Sequence, residues 1–366
     1  MCATGKRKIN YITSDGWWDT DKTILPELCD NFIVDTYVMD DLGFLKYPKK
    51  EQYGNNLFRF YSKYRMRDLR LLFVTIPFFR KVLRAAKQKD CINIFFVSGS
   101  IYFLLMFLFL FPKDNTIIGI HNYEEHTGNR RSFIAIVKKW FYMRFHFFLF
   151  FSTLQEKQFK DKYGSKQSCV LRMPLKDFGE PKNIKKNDLT TFLFFGFIKP
   201  YKRLDLYIEA AKKIDKKNAR FIIAGNCDNF DQYANLINNS ENFDIRIRFI
   251  RNEEISNVFV ETDFLVLPYE DTTQSGPLLI AVNYGIPVVA SDLPAFKEII
   301  THGYNGFLFK SGDENALYQI FYETSSMTKY QIDDLKKNML LFRKRYIANC
   351  SVANVLNQFM NNIQNQ

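Results

Sequence analysis

A strand-to-helix turn in the second half of the chain carries residues suited to holding a phosphate group. Gly196 ends a predicted strand, and Lys199 and Lys202 lie in the short loop before a predicted helix. A glycine lets a ligand approach the backbone, and a helix N-terminus with a nearby lysine favours an anion. The alternative is an ordinary loop with solvated lysines, and this segment alone does not separate the two.

A second turn of the same kind follows the apolar run 263–267. There the small polar residues Thr272, Gln274, Ser275 and Gly276 precede an apolar helix. Their backbone amides offer a second cradle for an anion. A plain strand-helix-strand unit explains the hydrophobic pattern, but it does not explain two phosphate-suited loops in one domain.

Both loops belong to a chain in which short apolar runs alternate with amphipathic segments of helix length. The predicted strands are 8–12, 32–38, 92–97, 116–120, 147–151, 191–197, 219–224, 245–250, 263–267, 287–290 and 306–309. This pattern is typical of parallel sheets buried on both faces. Two such series predict two doubly wound α/β domains, joined by the polar segment 175–189, with ligand sites at the carboxyl ends of the strands.

The charge of the chain is unevenly distributed. Its 366 residues carry a net charge of +12. Residues 1–180 hold 29 basic and 18 acidic groups, whereas residues 181–366 hold 22 and 21. Between residues 59 and 89, ten basic residues and one acid are interleaved with aromatic and aliphatic ones. This predicts contact with an anionic membrane surface; a solvated helix face is the alternative, and no motif for binding nucleic acid accompanies the stretch.

The composition also restricts the class of protein. An apolar fraction of 47% with 25% charged residues excludes a disordered or collagen-like chain. The six cysteines form no C-x-x-C pair, which argues against a zinc site or a disulfide framework and favours a reducing compartment. The most apolar run, 101–111, is too short to span a bilayer and is expected to be a buried helix. The N-terminal residues do not look like a signal peptide, so we expect a cytoplasmic protein, peripheral at most on the inner face of the membrane.

Taken together, the two loops resemble motifs of retaining glycosyltransferases of family 4, the group 1 glycosyltransferases with the GT-B fold. The segment Phe194-Phe195-Gly196-Phe197-Ile198-Lys199-Pro200-Tyr201-Lys202-Arg203-Leu204-Asp205 resembles the phrase FFG-x-I-x-PYKG-x-D of one subgroup. Leu267-Pro268-Tyr269 and Thr273-Gln274-Ser275-Gly276 resemble its phrase LPY-x-x-ATQSG. The similarity covers about residues 191–309.

The resemblance implies two Rossmann-like domains that face a cleft. Residues 1–175 would bind the acceptor and residues 190–345 the nucleotide-sugar. Residues 346–366, which carry a helical stripe of apolar side chains, would cross back to the first domain. It implies sugar transfer with retention, without a metal or other cofactor, to a glycan or polyprenyl-diphosphate-linked acceptor in surface polysaccharide or lipopolysaccharide synthesis. The alternatives are a nucleotide-sugar epimerase of the same fold and a degenerate scaffold or binding subunit.

The resemblance also assigns roles to particular residues. The donor would be bound by Gly16, Gly196, Lys202, Thr272, Gln274, Ser275 and Gly276. Lys202 would stabilise the departing diphosphate, and His121, at the end of a predicted strand, would lie beside the transferred sugar.

The chain departs from many relatives at three positions that would contact the donor. Thr272 and Ile280 stand where many relatives have two glutamates, so recognition of the ribose must differ here. Phe197 stands in the place of an arginine, which leaves Lys202 as the main cation for the diphosphate. The triplet Asp19-Thr20-Asp21 has the D-x-D form of metal-dependent transferases, but such triplets are common by chance.

Overall fold

The chain forms two compact units in the computed structural model. One contains Met1–Pro174 and Cys350–Gln366, and the other contains Leu175–Asn349. The structure describes residues 6–14, 17–40, 54–61, 69–88, 90–96, 101–120, 133–182, 188–238 and 240–364. Within these residues, no helix has the length and apolar character needed to cross a bilayer.

The first unit is built on a parallel sheet. Its strands are β1 (Lys8–Ser14), β2 (Ile33–Asp40), β3 (Asn56–Tyr61), β4 (Cys91–Phe96), β5 (Thr116–Ile120), β6 (Phe147–Phe150) and β7 (Gln167–Val170), in the order β3-β2-β1-β4-β5-β6-β7. Its helices are α1 (Trp18–Asn31), α2 (Leu69–Ala86), α3 (Ile101–Leu110), α4 (Phe133–Arg144), α5 (Thr153–Tyr163) and α13 (Val352–Gln364).

Aromatic side chains fill the space between this sheet and the helices α2 to α5. Phe95 of β4 stacks on Phe107 of α3 with ring centroids 3.8 Å apart, and both also pack near Phe141 of α4. Phe148 of β6 joins this core, whereas the adjacent Phe147 contacts α13. Since successive strand residues point to opposite faces, α13 covers the other face of the sheet.

The carboxylate of Glu27 on α1 binds the N-terminus of α13. It accepts hydrogen bonds from the hydroxyl of Ser351 (2.7 Å) and from the backbone amides of Val352 (3.2 Å) and Ala353 (3.3 Å). A carboxylate at this position satisfies amides that the helix leaves unpaired, and it interacts favourably with the helix dipole. The last helix is thereby attached to the first unit, whereas the preceding α12 (Lys329–Ala348) belongs to the second.

The second unit contains another parallel sheet. Its strands are β8 (Thr190–Phe195), β9 (Ala219–Gly225), β10 (Phe243–Ile247), β11 (Phe264–Leu267), β12 (Val288–Ser291) and β13 (Gly306–Phe309), in the order β10-β9-β8-β11-β12-β13. Its other helices are α6 (Leu204–Lys212), α7 (Asp231–Ile237), α8 (Asn252–Val260), α9 (Gly276–Tyr284), α10 (Pro294–Lys297) and α11 (Glu314–Ser325). Two doubly wound α/β units are what the sequence predicted.

Two strands and one helix of the first unit differ from the sequence predictions. The strands β3 and β7 were not predicted, because they lie at the two edges of their sheet and are only partly buried, so their sequences lack a continuous apolar run. The apolar helix α3 is only half enclosed: Phe103 and Phe107 are buried, but Phe109 and Leu110 at its end are exposed.

Candidate functional site

The topology of the second sheet brings the two predicted loops together. The strand order reverses direction at β8, which has β9 on one side and β11 on the other. Loops leaving the carboxyl ends of β8 and β11 therefore diverge and leave a crevice, the usual ligand position in such sheets. The amide of Glu270 donates a hydrogen bond to the carbonyl of Tyr201 (2.8 Å), which ties the two loops to each other.

Lys202 is a buried cation in this crevice. It ends the 3-10 turn Pro200–Lys202 and is only 8% exposed. Its Nζ lies 3.3 Å from the place that a Cβ on Gly196 would occupy, and 5.5 Å from the centroid of the Tyr269 ring. Burial lowers the pKa of Lys202 to about 8, and no described carboxylate opposes this shift. A buried ammonium without an acidic partner is costly and indicates a site for an anion.

The N-terminus of α9 adds a second source of positive potential beside Lys202. The Ser275 hydroxyl caps the helix by accepting from the amide of Leu278 (3.3 Å). Pro277 lies next to Gly196, because its Cγ is 3.5 Å from the place of a Gly196 Cβ. The helix dipole thus points its positive end at the region that Lys202 occupies.

Thr272 and Gln274, in the loop before α9, differ in their hydrogen bonding. The hydroxyl of Thr272 donates to the carbonyl of Gln274 (2.8 Å), which helps to hold the loop. Both polar atoms of the Gln274 side-chain amide are shielded from solvent, yet neither has a hydrogen-bond partner among the described residues. An unsatisfied buried amide costs about 1–3 kcal/mol, so a polar ligand or water is expected to complete this site.

Lys176 is a second lysine at this crevice that the sequence did not indicate. Its Nζ lies 3.5 Å from the place of a Cβ on Gly276. The residues after it are fixed on α9, since the Phe178 amide donates to the Tyr284 hydroxyl (2.9 Å) and that hydroxyl donates to the carbonyl of Gly179 (3.0 Å). Lys176 lies in the segment predicted to be a linker, and no motif identifies it.

Gly196 and Gly225 allow the backbones of neighbouring loops to approach closely. Gly196 has φ +104° and Gly225 has φ +147°, a region that L side chains rarely adopt. A Cβ on Gly225 would lie 2.1 Å from the carbonyl oxygen of Gly196. Gly225 is therefore part of the framework of the site, although no sequence motif marks it as Gly196 is marked.

The structure shows where the residues that depart from the family motifs lie. Ile280 is buried in the hydrophobic core on α9. Phe197 is partly exposed, and the ammonium of Lys199 lies 4.3 Å from its ring centroid while pairing with Asp228 at 2.8 Å. Arg203, at the glycine position of the subgroup's phrase, has the left-handed φ of +51°.

Gly16 and His121 lie outside the described residues, so their predicted roles stay predictions. Asp21 of the D-x-D triplet is described: it is buried on α1 and accepts hydrogen bonds from Tyr11 and Thr13, both at 2.6 Å. Its carboxylate is therefore committed to the interior of the first unit. No group of three potential metal-ligating side chains is found in the part of the chain that the structure describes.

A comparison with protein families identifies the part of the chain that holds this crevice. Residues 190–324 match the family model described as Glycosyl transferases group 1. These residues are therefore similar to a domain of that family. They include Gly196, Lys202 and the loop from Thr272 to Gly276.

Two solved structures resemble nearly the whole chain. Sucrose-phosphate synthase from Thermosynechococcus elongatus aligns with a TM-score of 0.72 and 14% identity, covering 98% of this chain and 99% of that one. HepE from Anabaena, solved in complex with UDP, aligns with a TM-score of 0.71 and 14% identity, covering 98% and 100%. Such a likeness at low identity defines the fold, and the predicted GT-B fold is confirmed.

One curated relative is a 41.2 kDa protein in the cps region of Klebsiella pneumoniae. It is 26% identical over 141 residues. The match covers 38% of this chain and 38% of the relative. The chain thus matches well under half of that relative's length.

Proposed function

We propose that this protein transfers a sugar from a nucleotide-sugar to a glycan or lipid-linked acceptor. The observation that carries the proposal is the buried ammonium of Lys202 beside the N-terminus of α9, in a domain that matches group 1 glycosyltransferases. A diphosphate would supply the negative charge that this crevice lacks. The complexes of HepE with UDP and with UDP-glucose support a nucleotide-sugar as the ligand of such a fold.

In this proposal the protein acts mainly on the leaving group. As the bond between the sugar and the diphosphate breaks, negative charge grows on the phosphate oxygen that departs. Lys202 and the amides at the start of α9 are already in place to stabilise that charge, so little reorganisation is required. We expect no metal requirement, because these groups supply the positive charge. Activity that persists in excess chelator would agree with this expectation.

Several finer features belong to the proposal. We propose family 4 membership, retention of the anomeric configuration, and a role for His121 beside the transferred sugar. The cps-region relative supports an acceptor in surface polysaccharide or lipopolysaccharide synthesis. We propose that the protein works on the cytoplasmic side of the membrane.

A degenerate binding subunit is the second candidate, favoured by Thr272 and Ile280 in the places of the two glutamates. Their side chains serve the loop and the core. A nucleotide-sugar epimerase of the same fold is a third possibility, which the same assay covers.

A panel of nucleotide-sugars, each incubated with and without acceptor extract, tests the proposal. Release of nucleoside diphosphate that increases with acceptor supports a transferase. Conversion of the donor to an epimer would favour the epimerase. Binding of a nucleoside diphosphate, seen as a raised melting temperature, without any turnover of any donor would favour the binding subunit.

A further inference from the structure

Three adjacent helices of the first unit present a basic and apolar surface. The helices α2, α3 and α4 pack beside one another, and their inner sides contribute to the aromatic core. They contain seven basic residues and no acidic one. The basic residues are Arg70, Arg80, Lys81, Arg84, Lys138, Lys139 and Arg144. We call the outer side of these helices the α2–α4 face.

Large apolar side chains are exposed on the same face. Phe73 is 71% exposed and Phe109 is 65% exposed. Among the side chains of these helices whose exposure the structure describes, the large exposed apolar ones are Phe73, Val74, Phe109, Leu110, Ile136, Trp140 and Met143. Grouped exposure of this kind marks an interaction surface rather than ordinary solvent-facing residues.

The helical spacing combines the two properties on one stripe of α2. Phe73, Pro77, Arg80 and Arg84 follow one another at intervals of three or four residues, and all are exposed. Residues at this spacing share one side of a helix. The stripe is apolar toward the start of α2 and cationic toward its end.

The helix α3 extends the apolar part of the face. All ten of its residues are apolar, and a helix that is apolar all round is normally enclosed. Its end is not enclosed, because Phe109 and Leu110 are exposed. The guanidinium of Arg144 donates to the carbonyls of Phe109 (3.4 Å) and Phe111 (3.0 Å), which keeps a cation beside these apolar side chains.

We propose that the α2–α4 face docks on an anionic phospholipid bilayer. The exposed aromatic and aliphatic side chains would enter the boundary between headgroups and acyl chains, and the arginines and lysines would contact lipid phosphates. A second copy of this face is a poor occupant, since it would bring two sets of cations together without an acid. Nucleic acid would satisfy the cations but would leave the apolar side chains without a partner.

Sedimentation with vesicles of phosphatidylcholine, alone or mixed with phosphatidylglycerol, tests the proposal on the full chain. We expect binding to the mixed vesicles that weakens as salt is added. Because one cation near such a surface changes affinity about fivefold, Arg80→Ser with Arg84→Ser should weaken binding on the order of 25-fold. Lys329→Ser with Lys337→Ser, which removes two exposed lysines of α12, is the matched control.

A second pair of variants tests the contribution of the exposed apolar side chains to vesicle binding. Phe73→Ser should weaken binding roughly tenfold, since a large apolar side chain would no longer leave water. Phe249→Ser in the second unit removes a phenylalanine of nearly equal exposure, 72%, and should bind like the native chain. All of these side chains are exposed, so the melting temperatures should stay close to the native value.

Trp140 offers a direct reading of the orientation. It is a partly exposed residue of α4 on the proposed face. Brominated lipid in the mixed vesicles should quench tryptophan fluorescence, and Trp140→Phe should remove most of that quenching. Aromatic rings of this type prefer the membrane interface.

Four outcomes would overturn the proposal. They are absent binding to mixed vesicles, equal binding to neutral and mixed vesicles, equal losses in the face and control variants, and quenching that Trp140→Phe leaves unchanged. If the native chain binds no vesicles but self-associates, and the face variants abolish that self-association, the α2–α4 face is an interface between two copies of this chain. None of these measurements requires a sugar donor, so their outcome does not depend on whether the protein transfers a sugar.

Discussion

The ammonium of Lys202 lies against the backbone of Gly196, at the carboxyl end of the first strand of the second sheet. Its Nζ is 3.3 Å from the position that a Cβ atom on Gly196 would occupy. The glycine thus leaves room for the lysine to reach the crevice, and burial there lowers the pKa of that lysine to about 8. This relationship underlies the first two predictions.

Lys202→Ala is expected to reduce sugar transfer by about 10²–10³-fold, the usual effect of removing one preorganised charge partner from a developing anion. Lys199→Ala is the matched control, because Lys199 is three residues away but pairs with Asp228 at 2.8 Å. The control should retain activity within a few-fold. The measurement is the initial rate of sugar transfer from the native donor by each variant. Equal effects of the two substitutions would mean that the diphosphate lies elsewhere.

Binding of a nucleoside diphosphate should weaken as pH rises above about 8. The free enzyme then loses the Lys202 proton, whereas a bound diphosphate favours the charged form and raises that pKa. Calorimetric titrations around and above this pH should show proton uptake on binding. The dissociation constant should increase by up to about tenfold per pH unit. In Lys202→Ala this dependence should vanish; a profile that both proteins share would contradict the assignment.

Lys176→Ala is expected to weaken nucleoside diphosphate binding roughly tenfold, in line with loss of a hydrogen bond to a charged group. The reason is the position of its ammonium, 3.5 Å from the place of a Cβ on Gly276. Lys182→Ala removes an exposed lysine from the same segment and should bind normally. Equal affinities of the two variants would exclude Lys176 from the site.

Glu27→Ala should lower the free energy of unfolding by about 1–2 kcal/mol, because α13 loses the carboxylate that binds its first amides. Glu27→Gln should lose about half as much, since an amide oxygen still accepts but carries no charge. Asp30→Asn, an exposed change on the same helix, should alter stability by less than about 0.5 kcal/mol. Urea unfolding measures all three. A native-like Glu27→Ala would show that this cap does not hold the last helix.

Asp21→Asn should become stabilising relative to the native chain as pH rises from about 4 to about 7. Burial raises the pKa of Asp21 to about 7, against 3.8 for an ordinary aspartate. The native state therefore binds the proton more tightly than the unfolded chain, and its stability falls as pH rises between these values, by up to about 1.4 kcal/mol per unit. Asparagine keeps the shape without the charge. Parallel stability profiles of the two proteins would show that Asp21 titrates normally.

The sequence by itself determined the fold class and the main anion-binding segments. The strands of the second sheet are apolar runs bounded by turn residues, so each could be predicted within a few positions, and Gly196 with Lys202 stood out at the end of one of them. Edge strands β3 and β7 escaped prediction because only part of each is buried. Local patterning reports burial, and partial burial leaves a weak pattern.

Only the tertiary structure decided which distant residues share a site. Lys176 reaches Gly276, the carboxylate of Glu27 binds a helix that begins at Val352, and Gly225 makes room for the carbonyl of Gly196. No local pattern marks these residues, because each acts on a group far away in the sequence. The same holds for the α2–α4 face. The sequence showed that basic and apolar residues occur together, but the packing of the helices on the sheet determines which of the phenylalanines remain exposed. Close packing fixes those choices, since a side chain is buried or exposed according to the neighbours that the folded chain brings to it.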